Sequence, residues 1–304
     1  MTRAFAAAAL VFALGVAGGV AWDVREVPPP ERRDGYVVLE AEMHAHTRFS
    51  DGFLSPFDLV IHARRQGLHV IAVTEHNLVF PGLMARWFAR ATGGPIVIVG
   101  EEVTSSRYHA HAYGIRDRVL PTYDPATVID RVHAQGGLIV AAHPVREFWP
   151  ALVPVRERLD GAEIMHPIAF GSARGAWSWS QMAEFYDGSL ANGHRLTAIG
   201  ASDYHFFSFL GLCRTWIFAR EATEGGVMEA LRAGRTVVQD HRGALWGDPA
   251  RVAALRAHPY RAKEHDVGYR GNGTGDRVAR ALGWLGMIGM LAFRRGRSGR
   301  DRHA

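Results

Sequence analysis

A single cysteine, Cys213, and a single lysine, Lys263, stand among 304 residues. One thiol excludes a disulfide framework and any cysteine-based zinc knuckle, so metal chemistry in this chain falls to histidine and carboxylates. With one lysine, the cationic surface is arginine throughout. Long uncharged runs are scarce as well: residues 4–22 form the only one near spanning length, which excludes a polytopic membrane protein. Internal repeats and low-complexity segments are lacking, and 48% hydrophobic with 21% charged residues excludes a disordered or collagenous chain. The length suits one large domain of α/β-barrel size or two small ones. What the chain has in excess is histidine: sixteen residues, roughly twice an ordinary share.

The net charge of +5 suggests nucleic acid until it is located. Residues 261–304 carry ten Arg/Lys against four Asp/Glu, leaving residues 1–260 at −1. Basicity is thus a property of the tail, and no nucleic-acid partner is expected for the body.

Residues 4–22 follow Met1-Thr2-Arg3 without a charge. At 1.5 Å per residue they extend roughly 28 Å, close to the hydrocarbon thickness of a bilayer. Two readings stay open: a cleaved signal peptide with Gly19-Val20-Ala21 as its small-residue site, or an uncleaved anchor. Near the other end, Ala281–Phe293 is uncharged and is followed by Arg294, Arg295, Arg297, Arg300 and Arg302. That run is short for a span unless Arg280 and Arg294 snorkel to the two interfaces. A hairpin with both termini cytoplasmic and the middle outside fits the positive-inside rule at the C-terminus. Membrane association, with the catalytic domain extracytoplasmic, is the expectation.

Val27-Pro28-Pro29-Pro30 and the polar residues after it read as a linker over 23–35. Beyond it, short β-like runs alternate with helical patterns. Strands are expected at Val37–Met43, His69–Thr74, Ile96–Val99, Tyr108–Ile115, Leu138–Ala142, Ala162–Met165 and Leu196–Gly200. Helices are expected from Ser55-Pro56 to Gln66-Gly67, then at Pro81–Ala91, Pro125–Gln135, Trp177–Asn192 and Gly225–Ala233. Such βα alternation argues for a parallel, barrel-like sheet. From Trp246 the strand pattern fades into a connector, 246–277, and then a short hydrophobic helix with an Arg-rich tail, 278–304.

Histidines and carboxylates gather at the ends of these strands, where parallel barrels carry their sites. The first strand ends in His44-Ala45-His46, two imidazoles on one face, followed by Ser50-Asp51-Gly52. The next run into Thr74-Glu75-His76-Asn77 and Gly100-Glu101-Glu102-Val103. His109 and His111 repeat the i, i+2 spacing; Ala142-His143-Pro144 and Ser202-Asp203-Tyr204-His205 end two more strands. A lone histidine is ordinarily a surface or hydrogen-bonded core residue, and His62, His69, His133, His194, His241, His258, His265 and His303 are read so. Glu101 reads as a solvated or supporting carboxylate; Glu163, His166 and Tyr204 are read as pocket-lining or structural. So many ionisable groups in one barrel mouth repel or desolvate at severe cost, and divalent cations would supply the missing positive charge.

As an ordered set over about residues 36–240, these motifs resemble the PHP family, the metal-dependent phosphoesterase domain of bacterial polymerases and histidinol phosphatases. Gly100-Glu101-Glu102-Val103-Thr104 and Leu231-Arg232-Ala233-Gly234-Arg235-Thr236 are more similar to the CehA/McbA branch of metallohydrolases. The resemblance implies a distorted (β/α)7 barrel over 36–245, preceded by the hydrophobic helix of 1–22, with two or three divalent ions (zinc, manganese or iron). Carried over by position, His44, His46, Glu102 and Asp203 hold one metal, and Glu102 bridges to a second held by His109 and His143. Asp51, His76 and His205 complete a third. Glu75 departs from the family's usual Asp, and His111 competes with His109 as a ligand; His109 is preferred because it fits the family's His-x-x-x-Tyr pattern.

The chemistry implied is attack by metal-activated water, with Glu102 and Asp203 as bridging and orienting ligands. Arg48, Arg146 and Arg214 stand beside the motifs as candidate clamps for an anionic substrate. The expected activity is phosphoester hydrolysis on a small molecule. The alternatives are carbamate, amide or carboxyl-ester hydrolysis of CehA/McbA type, and a metal-holding accessory domain without turnover.

Overall fold

The computed structural model describes residues 3–23, 29–167, 177–205, 210–256 and 273–298. Residues 24–28 of the expected linker, 257–272 of the connector with His258 and His265, and the end of the tail with Arg300, Arg302 and His303 lie outside the described residues. The chain divides into two units, Val27–Gly268 and a terminal unit of Met1–Glu26 with Tyr269–Ala304.

Within the larger unit, β1 (Glu31–Arg33) pairs with β2 (Tyr36–Glu42) ahead of α2 (Pro56–Arg65), β3 (Val70–Val73), α3 (Phe80–Thr92), β4 (Ile96–Thr104) and β5 (His109–Tyr113). There follow α4 (Pro125–Ala134), β6 (Leu138–Ala141), the short α5 (Trp149–Leu152) with a 3-10 turn, β7 (Gly161–Met165) and α6 (Trp179–Ala191). The unit ends with β8 (Thr197–Gly200), β9 (Arg214–Ala219), α7 (Glu224–Arg232), β10 (Thr236–Gln239), β11 (Leu245–Gly247) and α8 (Pro249–Arg256). Helix starts follow local chemistry. Ser55 Oγ accepts from Asp58 N ahead of Pro56, and the Asp124 carboxylate accepts from Ala126 and Thr127 N ahead of Pro125.

One eleven-stranded sheet runs β11-β10-β9-β2-β3-β4-β5-β6-β7-β8, with β1 on the outside of β2. Strands β2–β8 give the expected distorted (β/α)7 barrel, with β9, beside β2, and β10 supplying the contacts that close it onto β8. Val37, Leu39 and Ala41 of β2, and Met43 just past its end, alternate into a cluster with Val70, Ile98, Val140, Ile199 and Ile217. Val227, Ala230 and Leu231 of α7 join it, so that helix stoppers the barrel.

The distortion has two sources. First, β5 pairs antiparallel with both β4 and β6, which corrects the all-parallel expectation. Only Ser105 to Tyr108 separate β4 from β5, a connection too short for the crossover that a parallel neighbour needs. Second, β8 completes the ring through threonine hydroxyls. Thr215 Oγ1 accepts from Gly200 N at 3.0 Å and donates to Gly200 O at 2.8 Å, while Thr236 Oγ1 donates to Ala198 O at 2.8 Å. A Cβ at Gly200 would lie 2.9 Å from Arg214 O, so only glycine admits this approach.

Other departures are local. The linker contains β1, and the connector contains α8. In the terminal unit α1 spans Arg3–Asp23, and the C-terminal helix α9 spans Gly273–Ser298. It starts earlier than residue 278 because Asp276 sits in its first turn and pairs with Arg280 at 2.9 Å.

Candidate metal centre

The loops leaving β2, β3, β4 and β8 are zipped together before they present any imidazole. His46 N donates to Tyr204 O and Tyr204 N to His44 O; Thr74 N donates to Ala45 O; Glu102 N donates to Glu75 O and Asn77 N to Glu102 O. These bonds extend the sheet by a residue or two at each strand end, so His44, His46, His76, Glu102, Asp203 and His205 meet on a fixed frame. Because β5 runs in reverse, its first residue, His109, reaches the same mouth; in register, His109 faces Thr104 and His111 faces Glu102.

Every expected ligand falls in a group whose donor atoms lie within 4.8 Å of one another: His44 with His46 and Glu102, Glu102 with His109 and His143, and His46 with Asp51, His76 and His205. Asp203 groups with His44, His143 and His166. His44 Nε2 lies 2.8 Å from His46 Nε2 and 3.0 Å from Asp203 Oδ1. Glu102 stands between two sets: Oε2 is 3.5 Å from His44 Nε2 and 3.4 Å from His46 Nε2, while Oε1 is 2.8 Å from His109 Nδ1 and 3.1 Å from His143 Nε2. Asp51 reaches His76 Nε2 at 3.3 Å and His205 Nε2 at 3.1 Å.

Residues that sequence reasoning left undecided hold this frame from behind. Glu163, fully buried, meets His44 Nδ1 and His111 Nε2 through Oε1, both at 3.0 Å, and accepts His143 N through Oε2 at 2.6 Å. Its bond to His44 Nδ1 fixes the ring with Nε2 turned toward the mouth. His111 is therefore spent on Glu163, and His109 is the one brought to Glu102. Glu42, which the sequence reading passed over, accepts from the backbone N–H groups of His44, Ser202 and Gly211 at 2.8–3.0 Å. Glu75 accepts from Thr47 N at 2.7 Å and from the Thr47 and Ser50 hydroxyls, a supporting role that a longer Asp homologue fills. His166 Nε2 is 2.9 Å from Asp203 Oδ2. His143 and Asp203 both have left-handed backbone, φ 29° and 46°. Such strain persists only where surroundings impose it; the Glu163 bond to His143 N is one such restraint.

Several expectations need correction. Arg214 is buried, its guanidinium held by Glu40, by Gly211 O at 2.9 Å and by Gln66 O at 3.3 Å. It is a strut inside the fold, not a substrate clamp. Arg146 is engaged with Glu184 at 2.9 Å and lies over the Trp149 ring, while Arg48 is exposed between His46 and Asp51. Glu101 is buried and accepts Val119 N at 2.5 Å, and burial pushes its carboxyl up to about 7; alternation along β4 sends it to the face opposite Glu102. Tyr204 packs in the apolar cluster with Leu59, Val60 and Leu210. Among the histidines set aside, His69 Nδ1 accepts from Glu40 N, and His133 and His194 bond to Asp160 and to Leu159 O.

The electrostatics test whether cations belong here. Burial raises Glu102, Glu163 and Asp203, but the charge of His44 and hydrogen bonds from neighbouring rings outweigh it and hold all three well below the carboxylate range. His44, lowered by burial, is carried well above its ordinary value by Asp203, Glu163 and Glu102. Burial brings His46 down to about 4. Against burial, Asp51 and Glu102 likewise carry His76 up to about 10, and Asp51 and Asp203 raise His205. Without cations the centre thus accommodates its carboxylates by keeping protons on crowded imidazoles, and Glu102 Oε2, Asp203 Oδ1 and His143 Nδ1 are still buried without a hydrogen-bond partner. Buried polar atoms left unpaired are costly, and hard or borderline divalent cations suit an imidazole–carboxylate donor set. The residues present fit the group.

Comparison with known proteins agrees with this geometry. A family model described as PHP-associated matches residues 188–236, from the end of α6 to the start of β10. A solved two-domain protein from Bacteroides vulgatus, described as containing a predicted PHP-like metal-dependent phosphoesterase, superposes with a TM-score of 0.62 at 25% identity, covering 76% of this chain and 72% of that one. An uncharacterized protein of Methanocaldococcus jannaschii is 24% identical over 144 residues, 42% of this chain and 82% of its own length. The error-prone DNA polymerase of Cutibacterium acnes is 38% identical over 77 residues, 25% of this chain but 7% of the polymerase. A barrel closed in this order, with its imidazoles and carboxylates meeting at one mouth, is similar in fold to the solved PHP-like protein, and its residues 188–236 match the PHP-associated family model.

Proposed function

We propose that the barrel is a metal-dependent hydrolase of small-molecule phosphoesters. The observation that carries this reading is Glu102, whose two oxygens face separate imidazole sets and so suit a carboxylate shared between neighbouring cations. His44, His46, Glu102 and Asp203 would hold one ion, Glu102, His109 and His143 a second, and Asp51, His76 and His205 a third, with His46 at the border. Bound there, divalent ions supply Lewis acidity and activate water at neutral pH. The chain's own residues set the stage. Glu163 fixes the His44 ring, His166 fixes Asp203, and the rings of Phe148 and Trp177 lie against His109 and His143 at 5.0 and 4.9 Å, narrowing water access on that side. The description of the Bacteroides relative supports the phosphoester reading.

A second reading, cleavage of a carbamate, amide or carboxyl ester at the same centre, draws support from the arginines. With Arg214 buried against Glu40 and Arg146 engaged by Glu184, Arg48 alone of the three is left to meet an anionic substrate. Turnover of p-nitrophenyl phosphate, bis-p-nitrophenyl phosphate and an aryl carbamate, each with Mn²⁺ or Zn²⁺, separates the two. The phosphoester reading expects the highest kcat/KM on a phosphate ester, reduced roughly 10²-fold or more by His44→Ala or Asp203→Ala. Undiminished turnover in both variants would refute the mechanism, and preference for the carbamate would favour the second reading.

A further inference from the structure

Helices α1 and α9 form an antiparallel pair that is inside out for water. Their seam is made of small residues in a constant register. A Cβ on Gly15 would fall 2.2 Å from Gly283 N, one on Gly286 2.3 Å from Phe12 N, and one on Gly275 2.5 Å from the Trp22 ring; those on Gly18 and Gly289 would touch the Cβ atoms of Ala279 and Ala8 at 3.0 Å. Successive pairs 8/289, 12/286, 15/283, 18/279 and 22/275 step by three or four residues along both helices, one face of each. The large apolar side chains point away: Leu10, Leu14, Val20, Trp284, Leu285 and Ile288 are all more than half exposed. A soluble pair buries its large apolar residues in the seam and turns polar ones outward. Small residues within and large ones without is the arrangement of helices that pack in lipid, where close backbone approach rather than water exclusion drives association.

Charge placement gives a second, independent observation. Because the helices are antiparallel, Arg3 of α1 falls at the same end as Arg294, Arg295 and Arg297 in the last turns of α9. At the opposite end Asp23 and Asp276 accompany Arg277 and Arg280, and Arg280 is neutralised by Asp276 at 2.9 and 3.0 Å. One end is strongly cationic and the other balanced, the asymmetry of a hairpin whose cationic end faces the cytoplasm and its anionic lipids. The run of Ala281–Phe293, short for a span by itself, is extended by this pairing, since Arg280 lies within about two turns of the helix start and can snorkel.

We propose that α1 and α9 together form a two-helix hairpin that spans a lipid bilayer. The α1 segment is retained in the mature protein, both termini lie on the cytoplasmic side, and the barrel, inserted between the two spans, lies on the other. This stands apart from what the barrel hydrolyses. The cleaved-signal reading fails on this account because removing α1 would strip α9 of its seam.

The full-length chain in its native membranes provides the test. Carbonate washing should leave it in the pellet with α1 intact by N-terminal sequencing. In a Cys213→Ala background, mild oxidation should join Ala8→Cys to Gly289→Cys within one chain, while the off-seam pair Ala6→Cys with Gly289→Cys stays reduced. A membrane-impermeant maleimide should label Asp34→Cys in intact cells and Ser298→Cys only after permeabilisation. Carbonate release, a mature chain beginning near residue 22, failure of the seam pair to join in chains that pellet, or reversed labelling would each overturn the proposal.

Discussion

Glu163 touches two imidazoles and one backbone N–H of the metal centre without facing the mouth itself. Its contribution is to hold the His44 ring with Nε2 turned toward the mouth. Glu163→Gln keeps the shape but replaces a carboxylate by an amide that can accept through only one atom. Metal affinity should fall by about 10–100-fold, the usual scale for losing such a partner, with the fold retained by circular dichroism; competition with a zinc chelator measures it. His62 makes a different kind of prediction. Burial, helped by Arg65, lowers its pKa to about 4, so between pH 6.5 and 4 the unfolded chain binds a proton that the folded chain refuses. Stability is fully present above pH 6.5 and is lost as pH falls through that window, by about 3 kcal/mol from this residue. His62→Leu should flatten the pH dependence by that amount in urea unfolding series, and an unchanged slope would contradict the assignment.

At the scale of elements, the barrel depends on its last strand being accepted by hydroxyls instead of a ladder. Thr215 serves both backbone groups of Gly200. Thr215→Val, nearly isosteric, leaves a buried N–H and C=O unpaired, which costs about 1–3 kcal/mol; a lower urea midpoint with an unchanged slope would show it. The closing strands are also where the sequence is hard to read. Strands β3 and β6, VIAV and LIVA, are continuous apolar runs of the kind that double-sided burial produces, and their ends are marked by His76 and His143. By contrast β9, RTWIFA, begins with a buried arginine and β10, TVVQ, ends with glutamine; β9 runs antiparallel to both of its neighbours, and both strands escape the expected set. The reversal of β5 leaves no periodic trace, since side chains alternate equally in either direction. His109 was placed at the mouth from the resemblance, whereas its geometric reason, the short turn after Thr104, comes from three dimensions. Glu42 and Glu163 went unassigned because a buried carboxylate that collects backbone N–H groups has no sequence spacing.

Across the whole molecule, the histidine excess and the position of the charge were legible from composition, and each has a structural counterpart. The imidazoles concentrate around three carboxylates, Glu102, Glu163 and Asp203, which hold His44 above its ordinary value and are themselves held below theirs. Arg294, Arg295 and Arg297 lie at one end of a helical pair whose large apolar side chains are exposed. Cations that bind the folded centre and not the unfolded chain stabilise the fold by mass action, so stripping with a chelator should lower the melting temperature and readdition of Zn²⁺ or Mn²⁺ should restore it. Unchanged melting on stripping would mean that the carboxylates are balanced within the protein.

The central claim, that these side chains converge to hold divalent cations, is tested most directly by elemental analysis of the purified full-length protein beside Glu102→Ala. The account predicts stoichiometric zinc, manganese or iron in the wild type and a marked loss in the variant, because one carboxylate serves two sets of imidazoles. Wild-type protein that, after dialysis against these metals, holds no more of them than the variant does would contradict it.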